Sequence, residues 1–131
     1  YIGSPPMNFF DCVFDEEAGK CLLNGGFFRL NISPLGKALR DRLKGREVTL
    51  GVRPENIQVR EEPRKDSIEA KIMVAERLGA KVILDMGVTG TDLFKAVAPP
   101  EQSVKPGQLK WLEFDLEKIH IIDRATGEVL V

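Results

Sequence analysis

Between Glu47 and Val52 the chain alternates strictly, with Val48, Leu50 and Val52 apolar and Glu47, Thr49 and Gly51 between them. This is the period-two pattern of a strand with one face on a core. The run stops at Pro54, which has no N–H for a central ladder, so Arg53-Pro54-Glu55 must leave the sheet or lie at its edge. An arginine and a glutamate are thereby set at a rigid corner between two β units.

The same pattern recurs on both sides of that corner. Upstream, Phe9 to Phe14, Cys21 to Leu23 and Phe27 to Ile32 read as strands, separated by the turn signals Asp15-Glu16-Glu17-Ala18-Gly19 and Asn24-Gly25-Gly26. Ser33-Pro34 opens the one helix, with Ser33 as N-cap, Pro34 at its first position, Leu35, Ala38, Leu39 and Leu43 on one face and Gly45 closing it. Downstream, Glu61 to Asp66 is a charged, proline-broken loop, and from Ser67 the pattern turns β again, with Ile68, Ala70, Ile72 and Val74 alternating with Glu69, Lys71, Met73 and Ala75. Gly79 marks a bulge or tight bend, Lys81 to Met86 resumes the strand, Gly87 to Asp92 turns, and Leu93 to Val97 returns. Pro106-Gly107 has the order of a type II turn, and Leu109 to Leu116, Ile119 to Ile122 and Glu128 to Val131 complete the strands, with a turn over Asp123 to Gly127. Short strands punctuated by turns at this spacing predict an all-β barrel or sandwich with one short helix.

Composition narrows the function classes. The 131 residues carry a formal net charge of −1, which leaves no electrostatic footprint for nucleic acid. No apolar run approaches the length of a membrane helix, and no secretory leader pattern is present at the start. Cys12 and Cys21 are the only cysteines and lack zinc-ligand spacing. A turn centred on Glu16 and Glu17 would set them face to face across a hairpin, where a disulfide is conceivable, but two half-buried thiols are the favoured reading.

Catalytic constellations are missing from the pattern. Gly19-Lys20 and Gly36-Lys37 lack the rest of a phosphate loop, and G-x-G-x-x-G does not occur. The sole histidine, His120, sits in a strand with no second histidine to share a metal. The seven phenylalanines lie in apolar runs without interleaved basic residues, so core packing outweighs base stacking. Leu23-Asn24-Gly25-Gly26-Phe27 faintly echoes the nucleotide-contacting signature of transporter ATPases, but lacks its serine and reads as a turn.

An ordered set of motifs nonetheless resembles one family. Tyr1-Ile2-Gly3-Ser4-Pro5-Pro6-Met7-Asn8 is similar to the junction that follows the nucleotide-binding domain in ATPase subunits of sugar-importing ABC transporters of the maltose-importer type. Thr49 to Ile57 resembles a corner of the regulatory domain in those subunits. Leu78-Gly79 after Glu76, the Lys105-Pro106-Gly107 turn, and Ile119-His120-Ile121-Ile122-Asp123 with Thr126-Gly127 resemble the TOBE (transport-associated OB) module. The terminal motif departs from the family in carrying Ile122 where Phe is frequent.

The resemblance implies an all-β, OB-like TOBE barrel arrangement and a non-catalytic regulatory and dimerisation role in a subunit that energises carbohydrate import. It implies a junction over residues 1–8 from an upstream nucleotide-binding domain, a first sheet unit over 9–57 with its helix at 33–45, and a TOBE-like unit over 67–131. No cofactor is expected in this chain, since the parent's ATP and magnesium would belong to the upstream domain. The implied partners are that domain, a second copy of the subunit and the permease subunits of a cytoplasmic, membrane-peripheral complex. Gly51, Arg53, Pro54, Glu55 and Asn56 form the candidate interface corner. Two rival roles remain: a sugar- or oxyanion-sensing TOBE module, and an OB-type single-strand nucleic-acid binder.

Overall fold

The computed structural model describes residues 5–87 and 93–131. The Gly87 to Asp92 turn and the first four residues of the expected junction therefore fall largely outside the described residues. Among these, ten strands and one α-helix form two five-stranded sheets, and the chain divides into two compact units. One unit contains residues 5–8 and Arg53–Asp115, and the other Phe9–Val52 and Leu116–Val131.

In the second of these units the strands β1 (Asn8–Glu17), β2 (Lys20–Asn24), β3 (Arg29–Asn31), β4 (Glu47–Val52) and β10 (His120–Asp123) are ordered β10-β4-β1-β2-β3. The alternation that predicts β4 is borne out, with Val48, Leu50 and Val52 fully buried alongside Leu23, Ile32 and Ile121. Burying each such side chain contributes about 1.5–3 kcal/mol. The β1–β2 turn sits at Ala18-Gly19, two residues beyond the expected centre, where Ala18 and Gly19 take the positive φ of 51° and 78° that the reversal needs. That register sets Glu16, not Cys12, opposite Cys21. The cysteines are free and buried rather than half-buried.

The helix is shorter than expected. Ser33–Leu35 is a 3-10 turn, α1 spans Gly36–Arg42, and Leu43 is already extended at φ −67°, ψ 134°. Ser33 does not cap it: its hydroxyl accepts the Cys21 N–H at 3.1 Å and lies 2.6 Å from the Asn31 side-chain oxygen. Leu39 is the residue of the helical face that is fully buried, while Ala38 is exposed.

The other unit holds β5 (Ile57–Arg60), β6 (Ile68–Leu78), β7 (Lys81–Gly87), β8 (Phe94–Ala98) and β9 (Leu109–Phe114), ordered β5-β9-β6-β7-β8. The sheet curls until its edge strands β5 and β8 lie alongside each other without a shared ladder. This is a partly open barrel, as an OB-type architecture requires. Gly79 makes the β6–β7 turn at φ 63°, so β6 runs to Leu78 uninterrupted, and the ladder irregularity falls earlier, between Ile72 and Val74. The Pro106-Gly107 turn forms as expected, with Gly107 at φ 92° and the Gln108 N–H donating to the Lys105 carbonyl at 3.1 Å.

The expected boundaries differ from these units at the end of the chain. Residues 116–131 return to the unit of β4, where His120 to Asp123 pairs antiparallel with Gly51 to Val48. Glu128 to Val131 forms no full strand: Val129 bridges to Ile122, the Leu130 N–H donates to the Ile121 carbonyl, and the Glu128 carbonyl accepts the Asp123 N–H.

Candidate functional site

The corner expected from Pro54 is a 3-10 turn over Pro54–Asn56, entered from Arg53 in an extended conformation. Proline suits the first position, since its fixed φ costs nothing there and its missing N–H would have no partner within the turn. The Asn56 N–H donates to the Arg53 carbonyl at 2.9 Å, and the Asn56 carbonyl accepts from the Asp115 N–H at 3.0 Å. Ile57 then starts β5 opposite Phe114 of β9.

The five expected residues divide by exposure. Gly51 and Pro54 are buried and shape the turn, Asn56 is half-buried, and Arg53 and Glu55 are exposed. The local Arg53–Glu55 ion pair that the spacing allows is not formed, and neither side chain enters an ion pair among the described residues. The corner thus presents one cation and one anion, two residues apart, on a backbone held at both ends.

Polar groups that sequence reasoning passed over hold each unit together. In the barrel, Lys110 is only 3% exposed, and its ammonium donates to the Ser103 carbonyl at 2.8 Å and the Gln102 side-chain oxygen at 3.2 Å, with Glu61 at 3.5 Å. Gln102 in turn donates to the Val59 carbonyl on edge strand β5 at 2.7 Å, so a side-chain amide serves an edge that lacks a ladder partner. In the other unit Asp123 is fully buried, and its two carboxylate oxygens accept the Ala125 and Lys44 N–H groups, each at 2.9 Å. The only sequence signal for these two was a charged residue at an inward register position.

The Cys12 thiol is pushed up to about 12, first by burial and then by the Asp11 charge, which keeps it protonated and inert. The exposed His120 ring lies with Nδ1 3.2 Å from the Val131 carbonyl oxygen. An open depression of about 530 Å³ beside α1 is lined by Arg40 and Arg46, but these pair with Glu16 and Asp15. Another, of about 640 Å³, lies along β5, where Arg60 and Arg64 share Glu113. Among the described residues no group of three or more His, Cys, Asp or Glu is placed to hold a metal ion, and no helix is long and apolar enough to cross a membrane.

Two family models match the chain, and they overlap at the corner. The MalK OB fold domain matches residues 3–57, and the TOBE domain matches residues 50–122, more than half of the chain. The chain belongs to the TOBE domain family. Leu50 to Ile57 is the stretch that both models share.

Relatives of this TOBE chain include import ATP-binding proteins. It is 35% identical over 138 residues to the trehalose/maltose import ATP-binding protein MalK of Thermococcus litoralis, covering 99% of the chain and 36% of that protein. It is also 35% identical to the oligosaccharides import ATP-binding protein MsmX of Bacillus subtilis, covering 96% and 35% respectively. A third relative, the sn-glycerol-3-phosphate import ATP-binding protein UgpC 2 of Agrobacterium fabrum, is 33% identical, covering 98% and 32%. The chain spans about a third of the length of these relatives. In structure, it resembles the cytoplasmic molybdate-binding protein ModG with a TM-score of 0.63 at 16% identity, covering 92% of the chain and 96% of ModG, which shows a common fold.

Proposed function

We propose that this chain is the non-catalytic regulatory and dimerisation part of an ABC importer's ATP-binding subunit, acting on the cytoplasmic face of the membrane in the uptake of a carbohydrate or related solute. The observation that carries this reading is the corner itself. Arg53 and Glu55 are exposed, with no ion-pair partner among the described residues, on a turn anchored at both ends, where the two family models overlap. A docking surface needs such preorganisation, because ordering flexible side chains and loops on binding subtracts from affinity. The relatives' names supply the solute class, and their greater length leaves room for the nucleotide chemistry that this sequence lacks.

In this role the subunit's own nucleotide-binding domain carries ATP and magnesium, a second copy of the subunit meets the corner, and permease subunits complete the importer. The test is a pair of turnover measurements. The purified chain should hydrolyse no ATP above background, and a parent subunit lacking this region should hydrolyse ATP while losing regulated, transport-coupled turnover. ATP hydrolysis by the chain alone, or full coupling without it, contradicts the proposal.

A further inference from the structure

Strand β8 is an edge strand of the barrel, so alternate residues along it direct N–H and C=O away from β7. At Lys95 both of these outward groups are taken by one side chain. The Asn8 amide nitrogen donates to the Lys95 carbonyl at 2.9 Å, and the Asn8 amide oxygen accepts the Lys95 N–H at 2.9 Å. A primary amide presents donor and acceptor side by side, so this pair copies one residue of an antiparallel ladder. Asn8 is 8% exposed, among the few buried polar residues, and residues 5–8 cluster with the barrel although β1 continues from Phe9 in the other unit.

We infer that Asn8 is a positioning residue that straps the segment before β1 to edge strand β8, so that a displacement of the preceding chain is passed to the barrel through Lys95. Pro5 and Pro6 stiffen the segment that would carry the displacement. The grip is bidentate and buried, so water does not replace it at low cost, whereas an apolar or one-handed side chain leaves Lys95 groups unmatched. The transmission part of this inference rests on the reading of the chain as the regulatory part of a larger ATPase subunit. The grip itself does not.

Amide hydrogen exchange in this chain tests the grip. Asn8→Ala should raise exchange at the Lys95 N–H at least tenfold and leave the Ala96 N–H, which faces Leu84 of β7, unchanged. Asn8→Asp, which keeps the acceptor and loses the donor, should give an intermediate rate at Lys95, and it serves if the alanine variant does not fold. Unchanged exchange at Lys95 in the folded variants overturns the grip whatever the parent protein does. In the full-length subunit assembled with its permease, Asn8→Ala should lower solute uptake per ATP hydrolysed at least twofold, with turnover by the subunit alone unchanged. Lys95 exposed with uptake per ATP unaltered overturns the transmission, and does so independently of the region-deletion experiment that tests the regulatory reading.

Discussion

The Asp115 N–H donates to the Asn56 carbonyl at 3.0 Å, joining the residue that ends one excursion of the chain through the barrel to the turn that began it. This bond holds the corner from within the barrel. The Arg53 side chain is exposed and enters no ion pair among the described residues, whereas Pro54 is buried. Arg53→Ala should change the stability of the chain by less than about 0.5 kcal/mol, the ordinary range for an exposed substitution. Pro54→Gly loses the buried ring and the fixed φ, and should cost about 1–2 kcal/mol. Urea unfolding of both variants checks the contrast.

Lys110 should matter more than its partner Glu61. The ammonium satisfies a carbonyl and an amide oxygen in the interior, and Lys110→Met leaves those acceptors without it, at about 1–3 kcal/mol. The Glu61 side chain is exposed, so Glu61→Gln should cost no more than about 1 kcal/mol. Equal losses in denaturant titrations would mean that the ion pair, not the interior hydrogen bonds, accounts for the effect.

Gly36 opposes two principles. By helix propensity Gly36→Ala should stabilise α1 by about 1 kcal/mol. A Cβ there would lie 2.2 Å from the Cys21 sulfur and 2.9 Å from its Cβ, a clash that costs about 1–3 kcal/mol. The clash should win, lowering Tm, and Cys21→Ala in the same chain, which removes the sulfur but keeps the Cβ, should recover part of the loss.

Cys12 gives a signed pH dependence. Its pKa rises from 9.0 to about 12 on folding, so the native state holds the proton more tightly than the unfolded chain. The stabilisation is fully present below pH 9 and is lost between pH 9 and about 12, at about 1.4 kcal/mol per pH unit. Cys12→Ala should flatten that alkaline slope in unfolding titrations, and the native thiol should resist alkylation at pH 8.

Local periodicity made most strands legible, because alternation records which face meets the core and is blind only to what lies beyond the strand. β5 escaped notice: its four residues follow the turn directly, with Pro54 and Asn56 suggesting a corner instead of a strand start. The return of β10 to β4 also lay beyond reach, since Ile119 to Ile122 is equally apolar whichever sheet receives it. The helix end shows the limit of a breaker signal: Gly45 could close a helix, but Leu43 turns extended first, and the Lys44 N–H is claimed by Asp123 from far along the chain. At the site, proline chemistry located the corner, while the exposure of Arg53 and Glu55 and the burial of Gly51 depended on tertiary packing. Asn8 carried no signal, and Lys110 only that of a charge at an inward register position, because their partners are 87 and 7 residues away and are largely main-chain atoms.

The central claim is that the corner faces a partner, and self-association of the full-length subunit measures it most directly. Sedimentation equilibrium of the wild type against Arg53→Ala/Glu55→Ala should show dimer dissociation strengthened about tenfold or more, the size expected when about 1.4 kcal/mol of interface contact is lost. An unchanged dimer constant, together with unchanged ATP turnover in the assembled importer, would contradict it.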